Sequence, residues 1–307
     1  MKPLLVSLGD PAGIGSEVTQ KAIQNIPNHP GIILFGHPQS APSFPRFDGT
    51  ILPNEIKIKP VLEEINWPNR PNDPINARIA YTSIIDALTF SQSNPIQGLV
   101  TAPISKEGLY LAGYKQTDHT SILSHFFGNA TVRMAFYSEP LKVVLATIHQ
   151  PLTSVETALT KPHLMETIEK TIEFANQIGI KKPKIGIAGL NPHAGENGQF
   201  GQFENKILTP MIKEANQSGQ LFGPISPDII FKDAHQKKYD IVIAMYHDQG
   251  LIPLKLLAFD TAVNVTIGLP LCRTSPDHGT AYDIANQNKA NPSSMQAAIA
   301  YALEFGS

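Results

Sequence analysis

Short apolar runs rich in β-branched residues recur along the chain: Leu4–Leu8, Ile32–Phe35, Gly98–Thr101, Met134–Tyr137, Val143–Ile148, Ile185–Ala188, Ile241–Met245 and Val263–Ile267. Between them the spacing turns helical. Val18, Ala22 and Ile26 lie four apart and share one helix face, as do Leu164, Ile168 and Ile172; Ile122, Leu123, Phe126 and Phe127 form a third such set. Strands alternating with helices predict an α/β fold with a largely parallel sheet. Glu139-Pro140 between two strand-like runs adds one antiparallel hairpin, so the sheet is expected to be mixed. Residues 36–76 are rich in Pro, Asn and polar side chains and read as loops between short elements.

The polar positions cluster where strands end. Val6-Ser7-Leu8 runs into Gly9-Asp10-Pro11-Ala12-Gly13-Ile14-Gly15, and Leu99-Val100-Thr101 into Ala102-Pro103-Ile104-Ser105-Lys106. Ala146-Thr147-Ile148 runs into His149, Leu190 into Asn191-Pro192-His193, and Met245-Tyr246 into His247-Asp248-Gln249-Gly250. Ligands of α/β sheets gather outside the carboxyl ends of strands. Five such exits in one chain point to one composite site.

Composition narrows the chemistry. The 307 residues exceed one ordinary domain, so two domains or one large one are expected. Net charge is −2, which gives no global basic field and disfavours a nucleic-acid-coating protein, while a small anion needs only a local cluster. A single cysteine, Cys272, excludes an internal disulfide and a cysteine-rich zinc site. The first apolar run is too short for a signal-peptide core, and no stretch approaches a membrane span. A cytoplasmic setting is the expectation.

Ten histidines remain as a resource. His149, His193 and His247 each follow a buried-looking strand, and three imidazoles with an open fourth position suit a catalytic zinc ion. The plainer reading is three separate loop histidines, and spacing alone does not decide. Asp248 would orient the His247 imidazole. Gly13-Ile14-Gly15 opens a helix as a phosphate loop would, yet position 18 is Val18, so the dinucleotide fingerprint fails. A tight turn with close packing explains those glycines equally well. Asp118-His119-Thr120 precedes a helix and suits either an anion or plain N-capping. Lys255, Asn264 and Arg273 fall in or beside apolar segments, where an unpaired charge is costly, so Lys255 and Arg273 each call for an anion.

Taken in order, Gly9-Asp10-Pro11-Ala12-Gly13-Ile14-Gly15, Thr101-Ala102-Pro103-Ile104, His119-Thr120, Asn191-Pro192-His193-Ala194-Gly195-Glu196, Tyr246-His247-Asp248-Gln249-Gly250 and Arg273-Thr274-Ser275-Pro276-Asp277-His278-Gly279-Thr280-Ala281 resemble the 4-hydroxythreonine-4-phosphate dehydrogenase family from residue 4 to about residue 290. The resemblance implies two α/β/α domains with a cleft between them, similar to isocitrate and isopropylmalate dehydrogenases. The expected boundaries are 1–115 plus 270–307 for the first domain and 116–269 for the second. It implies a cytoplasmic homodimer with a shared active site, NAD or NADP as cofactor, and one divalent metal per subunit (zinc, with magnesium or cobalt as the alternatives). By resemblance, His149, His193 and His247 are the metal ligands, with His247 from the partner subunit. His119, Thr120, Lys255, Asn264 and Arg273 bind substrate, and Gly279, Thr280 and Asp283 lie on the dinucleotide-adenosine loop. Lys255 and Asp248 are the candidate catalytic side chains, with Lys106 as a further proton carrier.

The implied reaction is oxidation of 4-phosphooxy-L-threonine to a β-keto acid that decarboxylates, in pyridoxal 5′-phosphate biosynthesis. D-threonate or D-erythronate 4-phosphate is the alternative substrate, and a metal-dependent hydrolase the alternative class. The chain departs from the family at Asp118, commonly Gly, at Ser121, commonly acidic, and at Ser16, commonly Pro. No nucleic-acid or membrane partner is expected.

Overall fold

The structure, a computed structural model, describes residues 2–216 and 219–306. The chain forms two compact units, Met1–Thr131 with Leu269–Ser307, and Val132–Gly268.

In the first unit the strands are β1 (Leu4–Ser7), β2 (Ile32–Gly36), β3 (Ile56–Pro60), β4 (Gly98–Thr101) and β11 (Arg273–Pro276). All neighbours run parallel, in the order β3-β2-β1-β4-β11. β1, β2 and β4 are buried along their whole length, as strands covered on both faces must be. Helices α1 (Gly15–Gln24) and α10 (Ser293–Phe305) pack together on one side. Helices α2 (Pro74–Ser93), α3 (Lys106–Leu111) and α4 (His119–Phe126) cover the other. There Leu5, Ile33, Phe35 and Leu99 meet Ala77, Ile84, Leu88, Leu109, Ile122 and Leu123 in one apolar cluster.

In the second unit the order is β10 (Val263–Ile267), β5 (Arg133–Tyr137), β6 (Val143–Leu145), β9 (Ile241–Ala244), β7 (Ile185–Ala188) and β8 (Leu221–Ile225). β5 pairs antiparallel with both β10 and β6, and the Glu139-Pro140 hairpin is the turn expected from the sequence. β6, β9, β7 and β8 are parallel. Helices α8 (Pro227–His235) and α9 (His247–Ala258) close one face, with Ile230, Leu251 and Leu254 against Val143, Leu145 and Val242. Helix α6 (Lys161–Gln177) lies against β9 and β10, beside α7 (Thr209–Ala215), and α5 (Leu152–Ala158) follows the β6 exit.

Three strands lie outside the expected set. β3 sits inside the stretch read as loops, although Ile56-Lys57-Ile58-Lys59 alternates as an edge strand does. β8 is interrupted by Gly223-Pro224, and β11 by its polar letters Arg-Thr-Ser-Pro. One expected boundary also moves. Residues 116–131 belong to the first unit, because Ile122 and Leu123 of α4 bury into its core, and Leu269 joins that unit too.

Leu123 is fully buried. Leu123→Ala is expected to lower unfolding free energy by about 2–5 kcal/mol in urea titration, the cost of an unfilled core site. A change near zero would remove α4 from the first unit's core.

Candidate active site

In the first unit, β1 and β4 are parallel neighbours, so their exits share one edge of the sheet. The exits are locked together: Asp10 N–H donates to the Pro103 carbonyl at 2.9 Å. Gly9 has φ +71°, and a Cβ there would stand 2.2 Å from that same carbonyl. A Cβ at Gly15 would stand 2.4 Å from the Leu8 carbonyl. The glycines of this loop therefore serve close backbone packing.

Asp118 caps α4. Its Oδ1 accepts the Ser121 N–H at 3.0 Å, and the Ser121 hydroxyl faces the Asp118 N–H in return at 3.3 Å. Ser121 thus completes a capping box with a hydroxyl at the position where an acidic or amide side chain is usual. Arg273, on β11, is only 2% exposed and donates to the Thr101 hydroxyl at the β4 exit. Burial pushes its guanidinium down to about 9, and the nearby Asp118 carboxylate works against that fall. It remains a cation at neutral pH, buried and suited to a bidentate anion. His119 is held well below the ordinary imidazole value, first by burial and then by the Arg273 charge. It is a neutral imidazole, and its Nε2 is a buried atom with no hydrogen-bond partner among the described residues. A buried cation beside a neutral imidazole with an unpartnered Nε2, at a helix start, has the chemistry to take an anionic, hydrogen-bonding group.

The loop that follows β11 returns to the same edge. Ile14 N–H donates to the Thr280 carbonyl at 2.9 Å, and the Tyr282 hydroxyl donates to Asp10 Oδ2 at 2.7 Å. Gly279 has open space where a Cβ would be, and Asp283 is exposed. Beside this loop opens a cleft of about 610 Å³ lined by Gly13, Gln20, Gln39, Ser40, Trp67 and Asn286 among others. The Trp67 indole N–H and the Ser40 hydroxyl are buried there without partners among the described residues. Amide side chains, an aromatic ring and unsatisfied donors fit a heteroaromatic ligand end, which is what a dinucleotide cofactor presents.

In the second unit, β6, β9 and β7 are adjacent and parallel, so His149, His247 and His193 leave neighbouring strand ends on one edge. The His149 and His247 rings lie 5.5 Å apart, centroid to centroid. His247 Nδ1 lies 2.7 Å from Asp248 Oδ1. With the proton on Nδ1, Nε2 keeps its lone pair for a metal. His193 stands apart, its ring tilted against Phe200. Among the described residues of one chain, no three His, Cys, Asp or Glu side chains gather as a metal site. The donor chemistry fits a divalent ion, while one chain brings two of the three rings together.

His193 opens a run of left-handed backbone through Asn197, with φ between 39° and 78°. Such angles are costly outside glycine, and Glu204 offsets them. Its carboxylate, 1% exposed, accepts the Leu190 and Asn191 N–H groups at 2.8 Å each and the Asn191 side-chain amide at 3.1 Å. Gln249 ties the β9 exit to the β7 exit, taking the Met245 N–H and donating to the Gly189 carbonyl. Neither residue stands out from the sequence, because Glu204 acts on backbone groups 13 and 14 residues away and Gln249 on the Gly189 carbonyl 60 residues away.

Lys255 differs from expectation. The run Ile252–Leu257 is core on one face only: Leu254 is buried, whereas Ile252 is 60% and Leu256 82% exposed on the outer face of α9. Lys255 is half-buried there, 5.7 Å from the Phe259 ring. Its ammonium therefore does not require a buried counter-anion. Asn264 sits on β10 opposite Phe136, its Oδ1 buried without a hydrogen-bond partner among the described residues.

Two α/β units with mainly parallel strands and polar exits define the architecture of the isocitrate dehydrogenase from Methylococcus capsulatus (TM-score 0.51 at 15% identity, covering 99% of this chain and 85% of that one), a likeness of fold alone. The particular family follows from closer similarity: the chain belongs to the family described as pyridoxal phosphate biosynthetic protein PdxA, whose pattern matches residues 19–302. A 4-hydroxythreonine-4-phosphate dehydrogenase from Beijerinckia indica is 36% identical over 99% of this chain and 95% of its own. A D-threonate 4-phosphate dehydrogenase from Salmonella typhimurium is also 36% identical, over 99% of each. The crystal structure of 4-hydroxythreonine-4-phosphate dehydrogenase from Klebsiella pneumoniae superimposes with a TM-score of 0.87 at 34% identity, over 99% of this chain and 98% of that one.

The depressed His119 pKa sets a pH dependence. Unfolded, the imidazole takes a proton near its ordinary value of 6.5; folded, it takes one only at lower pH. The folded state therefore binds fewer protons in that window, and stability falls as pH drops below 6.5. Between about pH 7 and about pH 5, the wild-type urea midpoint is expected to fall more steeply than that of His119→Asn. Parallel falls would show that His119 titrates normally in the folded protein.

Proposed function

We propose that this protein is an NAD(P)-dependent, metal-assisted dehydrogenase. It oxidises 4-hydroxythreonine 4-phosphate to a β-keto acid that decarboxylates to 3-amino-2-oxopropyl phosphate, in pyridoxal 5′-phosphate biosynthesis. The observation that carries this reading is the buried Arg273 cation beside neutral His119 in a chain of the PdxA family. The relatives named for this activity support it, at 36–40% identity along nearly the whole chain.

The residues divide by chemistry. Arg273 and the α4 start at His119 and Thr120 take the phosphate, with Lys255 and Asn264 completing the substrate contacts. Remote phosphate binding fixes the reacting carbon in place. His149, His193 and His247 hold one divalent ion, with zinc as the first choice and magnesium or cobalt as the others. When bound, the ion supplies Lewis acidity at the substrate hydroxyl, and the nicotinamide supplies hydride acceptance. Asp248 holds the His247 tautomer, and Asp248, Lys255 or Lys106 carries protons. Gly279, Thr280 and Asp283 receive the dinucleotide beside the Trp67 cleft. The exposed apolar stripe Ile252, Leu256 and Phe259 follows His247 along α9 and supports a homodimer, which would complete the ligand set that one chain leaves at the two rings His149 and His247.

Asp118 bears on the substrate. Its carboxylate offsets part of the Arg273 charge. A substrate that carries an ammonium beside its anions meets less repulsion there than a purely anionic acid. This favours the amino acid phosphate over D-threonate or D-erythronate 4-phosphate, the second reading that the Salmonella relative keeps in view.

Incubation with NAD or NADP and each four-carbon acid phosphate is expected to raise the reduced-nicotinamide absorbance, with the highest kcat/KM on 4-hydroxythreonine 4-phosphate. No reduction with any of them would end the dehydrogenase reading. Arg273→Ala should raise substrate KM at least about tenfold, consistent with loss of a charged phosphate contact. His193→Ala should lose metal on dialysis and more than about 100-fold in kcat. Full activity in metal-free wild type would remove the ion from the reaction.

A further inference from the structure

The segment from Asp277 to Ala290 has neither helix nor strand to hold it. Three of its residues, Ala281, Asn286 and Asn288, carry left-handed backbone, with φ of 42°, 61° and 56°. Its conformation must therefore be fixed from outside. The two ends are fastened separately. Asp277 N–H donates to the Ser294 hydroxyl at 3.0 Å. At the other end Ala290 N–H donates to Glu17 Oε1 at 2.8 Å, and the Lys21 ammonium donates to the Asn288 and Ala290 carbonyls at 3.0 and 3.1 Å.

The middle rests on fewer contacts. One is the Ile14 N–H to the Thr280 carbonyl. Another is the Asn286 side-chain amide, which donates to Asn69 Oδ1 at 3.4 Å. The Tyr282 hydroxyl accepts the Asn72 N–H at 3.4 Å, donates to Asp10 Oδ2 at 2.7 Å and so reaches 272 residues back along the chain. Asp10 is 1% exposed at the β1 exit, and its Oδ1 accepts the Ala12 N–H at 2.9 Å. The neighbouring charge that bears on it, Asp73, has the same sign and does not neutralise it. Hydroxyl and amide donors are thus what stabilise this carboxylate, and a charged acceptor makes such bonds about twice as strong as neutral ones.

We infer that the Tyr282–Asp10 hydrogen bond positions the loop carrying Gly279, Thr280 and Asp283, and that Tyr282 is a positioning residue for the nicotinamide cofactor. This rests on the dehydrogenase reading above. Tyr282 is next to Asp283 and two residues from Thr280, so releasing its hydroxyl loosens all three. Without that hydroxyl the middle keeps the Ile14 contact at Thr280 and the longer Asn286–Asn69 contact, neither of them at Tyr282 or Asp283. The ring of Tyr282 touches no reacting atom in this account; it acts through the loop.

Tyr282→Phe removes one oxygen and keeps the ring. Two readouts separate the two halves of the inference. Amide hydrogen exchange without ligand is expected to run about tenfold faster across residues 278–285 in the variant, with the second unit unchanged. Titration with NADH alone, followed by fluorescence of Trp67 (the single tryptophan of the chain), is expected to show Kd raised about tenfold. At saturating cofactor, kcat should stay within about twofold of wild type, the split a positioning role gives. Asp10→Asn should move Kd in the same direction. Unchanged exchange would show that the bond does not hold the loop. Faster exchange with unchanged Kd would overturn the role toward the cofactor. Wild-type protein that binds no NADH would overturn that role together with the dehydrogenase reading, while the exchange result still decides whether Tyr282 holds the loop.

Discussion

A loop leaving a buried parallel strand takes its backbone N–H groups away from the ladder, and each must find an acceptor. In this chain carboxylates repeatedly supply it. Asp10 accepts at Ala12, Asp118 at Ser121, Glu17 at Ala290, and Glu204 at Leu190 and Asn191. A carboxylate offers several lone pairs, so a single side chain anchors two or three donors at once. The positions of the candidate site residues follow from these anchors. His119 is the residue after Asp118, His193 lies two residues past Asn191, and Tyr282 reaches directly to Asp10.

Carboxylates placed there carry an electrostatic consequence. They bring negative charge to the region of the proposed anion site, so a cation that is to take an anion there must be strong and shielded from competing water. Arg273 meets both conditions: it stays protonated despite burial, and β11 buries it where a lysine stem would leave its charge unsupported. Neutral His119 beside it adds no second buried charge, which the same low-dielectric surroundings would penalise. The near-neutral net charge of the chain is therefore compatible with the proposed anion site.

Periodicity made the fully buried strands legible, since β1, β2, β4, β7 and β9 are apolar but for Ser7 and Thr101 at the ends of β1 and β4 and the glycines. The same rule hid β11. Its letters Arg-Thr-Ser-Pro look polar, yet all four residues are buried, because Arg273 pairs with Thr101 and Thr274 bonds the Ala298 carbonyl. Periodicity also misplaced Lys255: an apolar run reads as core whether it faces a core or solvent, and α9 faces Ile252 and Leu256 outward. Strand exits led to three histidines, of which the structure brings the His149 and His247 rings within 5.5 Å. Glu204, Gln249 and Trp67 left no such mark, since their partners are backbone atoms or a cleft that only the folded chain creates.

The pairings also differ in the length of chain they close. The second unit is one continuous stretch, Val132–Gly268, in which β5 to β10 pair with one another. The first unit is not. Its last strand, β11, and the donors and acceptors of the Asp277–Ala290 loop come from the far end of the chain, beyond the whole second unit. Arg273 and Tyr282 therefore reach Thr101 and Asp10 only after residues 132–268 have been traversed, a loop closure of high entropic cost. Closing that loop is more favourable once the intervening stretch is compact, because a folded insert holds its two ends near each other. The Arg273–Thr101 and Tyr282–Asp10 contacts are thus the pairings of the first unit that need the longest chain closure, across the whole of residues 132–268.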